Sequence, residues 1–187
     1  MRVRPGPPLA VLVVLVLVGG ALAVLASRWG PELGDLWDPR PREACTEADP
    51  TTDGCLTPTA RRLHDRTVAA FGRPGSGARI RSITCWAERP WNQASDHPAG
   101  RACDVFPTRF GTFPRGAELE AGWAVANWAR SNARDLDVRY VIWQGRIWYR
   151  GDGDTDGWGR PYSGGGVYDP QDVTGGHFDH VHVSVGP

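Results

Sequence analysis

Two stretches of sequence decide the fold and the candidate site: residues 177–183 read HFDHVHV, and residues 95–104 read SDHPAGRACD. The alternating valines and histidines of the first stretch predict a β-strand over residues 179–185. Side chains two positions apart lie on the same face of a strand, so His180 and His182 point the same way while the valines face the core. Two imidazoles on the polar face of a short strand are natural metal ligands. The alternative is a pair of exposed histidines at a strand end.

The second stretch supplies two further ligand side chains. His97 and Asp104 are separated by Pro98 and Gly100, and a turn at these residues can bring both side chains to one point. Zinc accepts imidazole nitrogen and carboxylate oxygen at about 2.0–2.2 Å, and three protein ligands leave a fourth position open for water. An open position is typical of a catalytic site, because the ion lowers the pKa of the bound water toward about 7. The sequence therefore predicts a mononuclear zinc site of His97, Asp104 and one of the two strand histidines, His180 or His182.

The two stretches together resemble a known group of zinc peptidases. The pattern S-x-H-x-x-G-x-A-x-D, followed by D-x-x-H or H-x-H, is similar to the D-alanyl-D-alanine carboxypeptidase, VanX/VanY and phage endolysin group. Hedgehog-type domains and the MepA and lysostaphin endopeptidases share this zinc geometry. The resemblance covers roughly residues 80–187 and is closest to small exported proteins of actinobacterial type with such a C-terminal domain. The matching positions are Ser95, His97, Gly100, Ala102, Asp104, Asp179, His180 and His182. The resemblance implies zinc ligation by His97, Asp104 and His182.

The resemblance also implies catalytic groups. In the carboxypeptidases a Glu three residues before the last His ligand is the base, and Asp179, one methylene shorter, occupies that position here. In a regular strand Asp179 faces away from the metal, whereas His180 resembles the non-ligand His of the H-x-H peptidases, so the base role is open between the two. The Arg that precedes the His motif in the family corresponds to Arg89. Its guanidinium can hold an oxyanion or a substrate carboxylate, and the alternative is an Arg in a surface loop.

The N-terminus predicts export of the rest of the chain. Arg2 and Arg4 precede an uncharged apolar run over residues 9–26, which as a helix spans about 27 Å, close to the thickness of a bilayer core. Positive charge before the run predicts that the remainder lies outside the membrane. Residues 1–27 are thus either a signal anchor, which the length of the run favours, or a cleaved signal peptide. Residues 28–56 are predicted to be an extracytoplasmic linker ending in a Cys-closed loop.

Four cysteines agree with an exported chain. An even number of cysteines outside the membrane suggests disulfides. Of the three possible connectivities, we favour Cys45–Cys55 with Cys85–Cys103, the second of which closes a loop that contains Arg89. A zinc site made of cysteines is the competing interpretation, and the lack of any C-x-x-C pair argues against it.

The candidate domain over residues 57–187 is predicted to be α+β, a small antiparallel sheet with two flanking helices. Thr57 as N-cap and Pro58 at the first helical position open one helix, which Gly72 ends. The zinc site is predicted to lie at one face of the sheet. Three further elements are predicted: a strand over residues 80–86, a helix over about 115–133, and a hairpin whose strands at 138–143 and 146–149 are joined by two residues.

The charge balance and an incomplete loop motif argue against nucleic-acid binding and calcium binding. The 21 basic and 21 acidic residues balance, so no global charge favours nucleic acid as a partner. Residues 151–157 partly resemble a calcium-binding loop, with Asp152, Asp154 and Asp156 in place. The Glu expected at the end of such a loop is replaced by Ser163, so we expect a solvated loop there.

We therefore predict a zinc metallopeptidase, either a carboxypeptidase or an endopeptidase, that hydrolyses peptidoglycan peptide bonds at the outer side of the membrane. A non-catalytic zinc domain that binds cell-wall peptides or a protein partner is the first alternative, since hedgehog-type domains share the fold and Asp179 replaces the family's Glu. A structural exported protein without metal is the second. The expected partners are peptidoglycan peptides and, through the N-terminal segment, the membrane. The chain is expected to be a monomer.

Overall fold

The computed structural model describes residues 40–75, 79–151 and 157–186, and within them it contains two α-helices and eight short β-strands. The helices are Pro58–Phe71 (α1) and Ala117–Ser131 (α2). The strands are Glu47–Ala48 (β1), Cys55–Leu56 (β2), Ser82–Thr84 (β3), Ala102–Phe106 (β4), Val138–Trp143 (β5), Arg146–Tyr149 (β6), Arg160–Pro161 (β7) and Val181–Val185 (β8).

The strands form two antiparallel sheets, and the larger one positions the candidate site. β1 pairs with β2, while the other six strands lie in the order β3-β4-β8-β5-β6-β7. β8 therefore lies between β4 and β5, near the middle of the sheet. The register places Asp104 of β4 directly opposite His182 of β8. Because directly opposed side chains lie within about 5.5 Å of each other at Cβ, the pairing itself brings two predicted ligands together.

The core lies against one face of this sheet. Val181, Val183 and Val185 of β8 are at most 2% exposed, as the alternating pattern predicts. They belong to one apolar cluster with Leu63 of α1 and Val125 of α2. The prediction of a small α+β domain with an antiparallel sheet and two helices is confirmed.

The ends of the helices follow local chemistry. The Thr57 hydroxyl accepts a hydrogen bond from the Ala60 amide at 3.2 Å, and Gly72, at φ +91°, ends α1 as predicted. α2 is shorter than the predicted 115–133 at both ends. Its start is delayed because Gly116 adopts φ +50°, which an α-helix does not contain.

The predicted hairpin is confirmed. β5 and β6 are joined by Gln144 and Gly145, which have φ of +50° and +67°. Positive φ at both central residues is the type I′ turn, whose twist matches that of the two strands.

Two predicted strands are shorter than the sequence indicates. The strand predicted over 179–185 begins at Val181, because residues up to 179 form turns, one of them closed by the Phe178 amide on the Val173 carbonyl at 2.8 Å. The strand predicted over 80–86 ends at Thr84. Beyond it, the Cys85 amide donates to the Thr51 hydroxyl instead of to a neighbouring strand.

Both favoured disulfides are present. Cys45 is bonded to Cys55, and Cys85 is bonded to Cys103. The first closes the β1–β2 loop, and the second ties the end of β3 to β4, next to Asp104. Among the described residues no cysteine is free.

Some predictions concern residues outside the described ranges. These are the apolar run 9–26, the first part of the linker, and Asp152, Asp154 and Asp156 of the candidate calcium loop. Within residues 40–75, 79–151 and 157–186, no helix has the length and hydropathy that a membrane span requires.

Gly100 should tolerate a side chain poorly. Its φ is +64°, and an added Cβ would lie 2.5 Å from both the Cys45 sulfur and the Cys55 carbonyl oxygen. We expect Gly100→Ala to lower the free energy of unfolding by about 3 kcal/mol, from backbone strain plus overpacking. Gly75→Ala is the control, because Gly75 is at φ +83° with nothing within 4 Å of its Cβ position. It should lower the free energy of unfolding by about 1 kcal/mol. Urea denaturation measures both, and equal losses would contradict the steric role of Gly100.

Candidate metal centre

Three predicted ligands converge at one point. His97 Nε2 lies 3.2 Å from Asp104 Oδ2 and 3.3 Å from His182 Nδ1, and His182 Nδ1 lies 2.9 Å from Asp104 Oδ1. All three side chains are buried. Donors about 2.0–2.2 Å from a tetrahedral ion are about 3.3–3.6 Å apart. The side chains therefore need to open only slightly to hold one small metal ion, and the donor set of two imidazoles and one carboxylate fits such an ion.

His97 is oriented by its second ring nitrogen. Nδ1 is hydrogen-bonded to the carbonyl oxygen of Cys85, and a carbonyl can only accept. Nδ1 therefore carries the proton, and the lone pair of Nε2 points into the cluster. A backbone carbonyl holding the far nitrogen of a ligand histidine is common in metal sites, because it fixes the tautomer and the ring orientation.

The turn that carries His97 is anchored at both ends. The Gly100 amide donates to the His97 carbonyl at 3.0 Å, and the Gly100 carbonyl accepts from the Thr57 amide at 2.9 Å. The N-terminal Cys-closed loop therefore contacts the ligand turn directly. This loop also holds the backbone next to Cys85, since the Trp86 amide donates to the Asp49 carboxylate at 2.8 Å.

Asp96, which the sequence did not single out, is a buried carboxylate behind the cluster. It is 1% exposed and accepts from Arg101 at 2.8 Å, Arg139 at 2.9 Å, the Tyr140 hydroxyl at 2.9 Å and the Ser184 hydroxyl at 2.5 Å. Burial alone would raise the pKa of Asp96, but Arg139, the Ser184 hydroxyl and Arg101 together hold it below its usual value. The carboxylate is therefore ionised at neutral pH, and it ties β5, β8 and the ligand turn together.

Tyr140 connects this carboxylate to a ligand. Its ring is stacked on the His182 ring, with centroids 5.3 Å apart and planes 18° from parallel, while its hydroxyl is hydrogen-bonded to Asp96. His182 Nε2 is buried and has no hydrogen-bond partner among the described residues. The orientation of His182 is therefore held by the Tyr140 ring and by Asp104.

The electrostatics of the cluster suit a cation. Burial would raise the pKa of Asp104, but the His97 and His180 rings and the hydrogen bonds from His182 and His97 hold it well below its usual value. Burial lowers the pKa of His182 despite the neighbouring carboxylate. For His97, Asp104 outweighs the effect of burial, and the pKa is raised. An ionised Asp104 and a neutral His182 are the forms that ligate a metal ion.

The structure separates the two candidates for the base. Both Asp179 oxygens are engaged outside the cluster: Oδ1 lies 2.6 Å from His180 Nδ1, and Oδ2 accepts from the Gly111 amide at 2.6 Å and the Thr174 hydroxyl at 2.8 Å. His180 points its other nitrogen toward the ligands, with Nε2 3.6 Å from Asp104 Oδ1. His180 therefore borders the three ligand side chains, and Asp179 lies on the other side of the His180 ring.

Arg89 also borders the cluster. Its Nη2 lies 3.6 Å from Asp104 Oδ2, and its side chain is 28% exposed. Its Nε is buried and makes no hydrogen bond within the described residues. The guanidinium thus reaches the ligands while keeping access to solvent.

A fourth histidine, His177, was missed by the sequence analysis. Its ring lies 4.6 Å from that of His180, 5.6 Å from that of His182 and 4.9 Å from that of Tyr162. Burial, followed by the proximity of His180 and His182, lowers its pKa well below the usual value, so the ring is neutral. The H-x-x-H-x-H spacing was the available signal, but His177 has φ +57° and precedes the strand, so strand alternation could not place it.

Comparison with known proteins identifies one family. The model described as VldE, C-terminal domain, matches residues 52–174, about two thirds of the chain. The matched segment includes His97 and Asp104 but ends before His182. No curated protein matches the chain, and no solved structure does. The resemblance to the D-alanyl-D-alanine carboxypeptidase group and to hedgehog-type domains therefore stays a prediction.

Replacing the charge of Asp96 should destabilise the fold. In Asp96→Asn, the guanidinium groups of Arg101 and Arg139 lose their shared buried counter-charge, so we expect the free energy of unfolding to fall by about 3–5 kcal/mol. Asp65→Asn is the matched control, because Asp65 is 53% exposed and its pair with Arg61 lies at the surface. The control should cost less than about 1 kcal/mol. Urea denaturation compares them, and a loss as small as that of the control would show that Asp96 does not organise this region.

The purified full-length chain should bind about one metal ion. We expect His182→Ala to bring metal content close to zero, because two ligands in a buried site cannot retain a small cation. His64→Gln is the control, since His64 lies in α1 and is bonded to Asp65. Elemental analysis after equilibration with zinc measures the content. A wild-type value close to zero would contradict the metal site.

Proposed function

The chain belongs to the VldE C-terminal domain family, and we propose that it is a zinc-dependent peptidase that hydrolyses peptidoglycan peptides at the outer side of the membrane. The observation that carries this proposal is the position of His180. Its Nε2 lies 3.6 Å from a carboxylate oxygen of the metal cluster, and its Nδ1 is held by the buried Asp179. Hydrolysis requires a metal site with an oriented acid–base group beside it, whereas a structural zinc site needs no such group.

The proposed metal is zinc, which two imidazoles and one carboxylate suit. When bound, zinc polarises a substrate carbonyl and makes a water molecule nucleophilic near neutral pH. His97, Asp104 and His182 would hold the ion. They are buried, and this excludes bulk water that would weaken its charge.

We assign the general base to His180. Asp179 accepts from Nδ1–H, so Nε2 is left as the free base that can take a proton and later return it to the leaving amine. The Asp179 carboxylate also stabilises the imidazolium that forms, as the buried aspartate of a serine-protease triad does. Burial would raise the pKa of Asp179, but the hydrogen bonds from His180 and the Gly111 amide lower it, so this carboxylate remains charged at neutral pH.

Arg89 is proposed to stabilise negative charge on the substrate. Its guanidinium is near Asp104 but makes no closer contact with it than 3.6 Å, so donor groups remain for an oxyanion or a substrate carboxylate. The neutral ring of His177 lies beside His180, with ring centroids 4.6 Å apart.

The proposed location and substrate rest on three observations. Arg2 and Arg4 before the apolar run predict export. The two disulfides fit an oxidising compartment. The ligand motifs resemble those of D-alanyl-D-alanine carboxypeptidases and related endopeptidases, whose substrates are cell-wall peptides. We propose a membrane-anchored or secreted monomer.

A non-catalytic zinc domain is the second candidate function. It is favoured by one observation: Asp179, at the position of the peptidase Glu, has both oxygens bonded to groups outside the cluster and cannot serve as the base. If His180 does not replace the Glu, the centre would bind cell-wall peptides or a protein partner without cleaving them.

Muropeptide digestion separates the two functions. We expect the zinc-loaded wild type to release product, and His180→Ala to slow hydrolysis by about 10²–10⁴-fold while retaining zinc. Asp179→Asn should cost about 10–100-fold, because it acts through His180. His64→Gln and Asp65→Asn are the controls. Product release is followed chromatographically and zinc by elemental analysis.

Two results would contradict the assignment. If the zinc-loaded wild type releases no product, the centre is a binding site. If Asp179→Asn costs far more than His180→Ala, the base is not His180.

A further inference from the structure

Several exposed large hydrophobic side chains lie on loops that carry or contact groups of the candidate site. Within the described residues the exposed large hydrophobics are Trp91, Phe110, Phe113 and Val167, which are 63%, 73%, 49% and 46% exposed. Isolated apolar side chains are common on protein surfaces, but exposed rings on the loops of one site are candidates for binding. Three of the four are flat aromatic rings.

Phe110 is held next to the catalytic pair that we propose. The Thr112 amide donates to the Arg109 carbonyl at 3.1 Å and closes a turn, with Gly111 at φ +71°. The Gly111 amide is bonded to Asp179, which fixes this turn to the site. The Phe110 ring contacts Phe106, with centroids 6.2 Å apart, and Phe106 lies against His180 at 5.1 Å. An unbroken series of rings thus leads from His180 to solvent.

Phe113 also packs close to the proposed catalytic pair, Asp179 and His180, through a different ring. Its ring lies 5.2 Å from that of Phe178, the residue before Asp179. Phe110 and Phe113 therefore belong to one short loop, and each packs on a ring that lies beside Asp179 or His180. Neither is needed to fill the core, since both are largely exposed.

Trp91 lies on the loop that carries Arg89. The Asn92 amide nitrogen donates to the Arg89 carbonyl at 2.8 Å, and the Asn92 side chain donates to the Tyr168 hydroxyl at 3.2 Å. Trp91 is thus exposed, and the residue after it is an uncharged amide that is hydrogen-bonded to a phenol. Val167, the fourth exposed residue, is the neighbour of Tyr168.

The shape of this surface indicates the ligand. A pocket for an apolar side chain encloses most of its ligand, but these rings are 49–73% exposed and form open, flat surfaces. The face of an aromatic ring carries partial negative charge, and it attracts the C–H groups on the flat side of a sugar ring. Neutral amide and hydroxyl groups beside the ring suit the hydroxyls at the sugar's edge.

We propose that Phe110, Phe113 and Trp91 form a glycan-binding surface that stacks on pyranose rings of the substrate. The inference rests on the proposed function in one respect: the glycan is the strand from which cell-wall peptides branch. The surface holds this strand while the attached peptide reaches His180. The substrate is therefore glycan-linked peptide rather than free peptide.

Binding of a peptide-free sugar tests the proposal apart from hydrolysis. The probe is a tetramer of N-acetylglucosamine, titrated into the full-length chain and followed by saturation-transfer NMR and calorimetry. We expect weak binding by the wild type and by the inactive His180→Ala. Phe110→Ser, Phe113→Ser and Trp91→Ser should each weaken binding by about 3–10-fold. Val167→Ser is the control, because Val167 is about as exposed as Phe113 but has no ring, and it should change affinity less than twofold.

The possible outcomes are distinct. Absence of sugar binding to the wild type would overturn the glycan surface, whether or not muropeptides are cleaved. Equal effects of Val167→Ser and the ring variants would also overturn it, as would a free stem peptide that binds through the same three rings. Sugar binding that depends on the rings, in a chain that cleaves no muropeptide, would support the surface and leave only the peptidase proposal refuted.

Discussion

The buried negative charge of Asp96 is the constraint on which the candidate site depends. An isolated carboxylate cannot be buried without a large loss of solvation energy, so its four partners must be in place together. Two of these partners, Arg139 and Tyr140, come from β5, Ser184 comes from β8, and Arg101 follows the ligand turn. Satisfying one charge therefore fixes the strand that carries His182 relative to the turn that carries His97. The same carboxylate orders the Tyr140 ring on which His182 rests.

Asp104 and His182 lie on strands, whereas the other groups of the site lie on loops that are fixed by polar contacts. The Cys-closed loop holds the backbone at Trp86 through Asp49. The turns before β8 and the turn at Gly111 meet at the Asp179 carboxylate. Catalytic and binding groups on loops are positioned accurately only when such contacts hold the loops in place. Asp96 and Asp179 are both buried, and each accepts hydrogen bonds from more than one segment of the chain.

The sequence predicted what depends on neighbours in the chain and missed what depends on distant ones. The N-cap at Thr57, the Gln144–Gly145 turn and both disulfides could be predicted from spacing and residue type, whereas His182, 85 positions from His97, was identified as the third ligand through the family resemblance. The roles of Asp96 and Tyr140 could not be predicted, because they come from hydrogen bonds and stacking between residues more than forty positions apart. The strand over 179–185 was placed two residues too early, since turns held by backbone bonds override the alternating pattern before Val181.

The Cys85–Cys103 disulfide makes the geometry of the candidate metal centre depend on the oxidation state of two cysteines. Cys85 supplies the carbonyl that orients His97, and Cys103 is the residue before Asp104. One covalent bond thus joins the supports of two of the three ligands. Such bonds form in oxidising compartments and not in a reducing cytosol. Under the proposed metal binding and export, we therefore expect newly made chains to hold the ion weakly until the two thiols are oxidised. A reduced chain would carry every ligand but would lack the covalent link between the supports of His97 and Asp104.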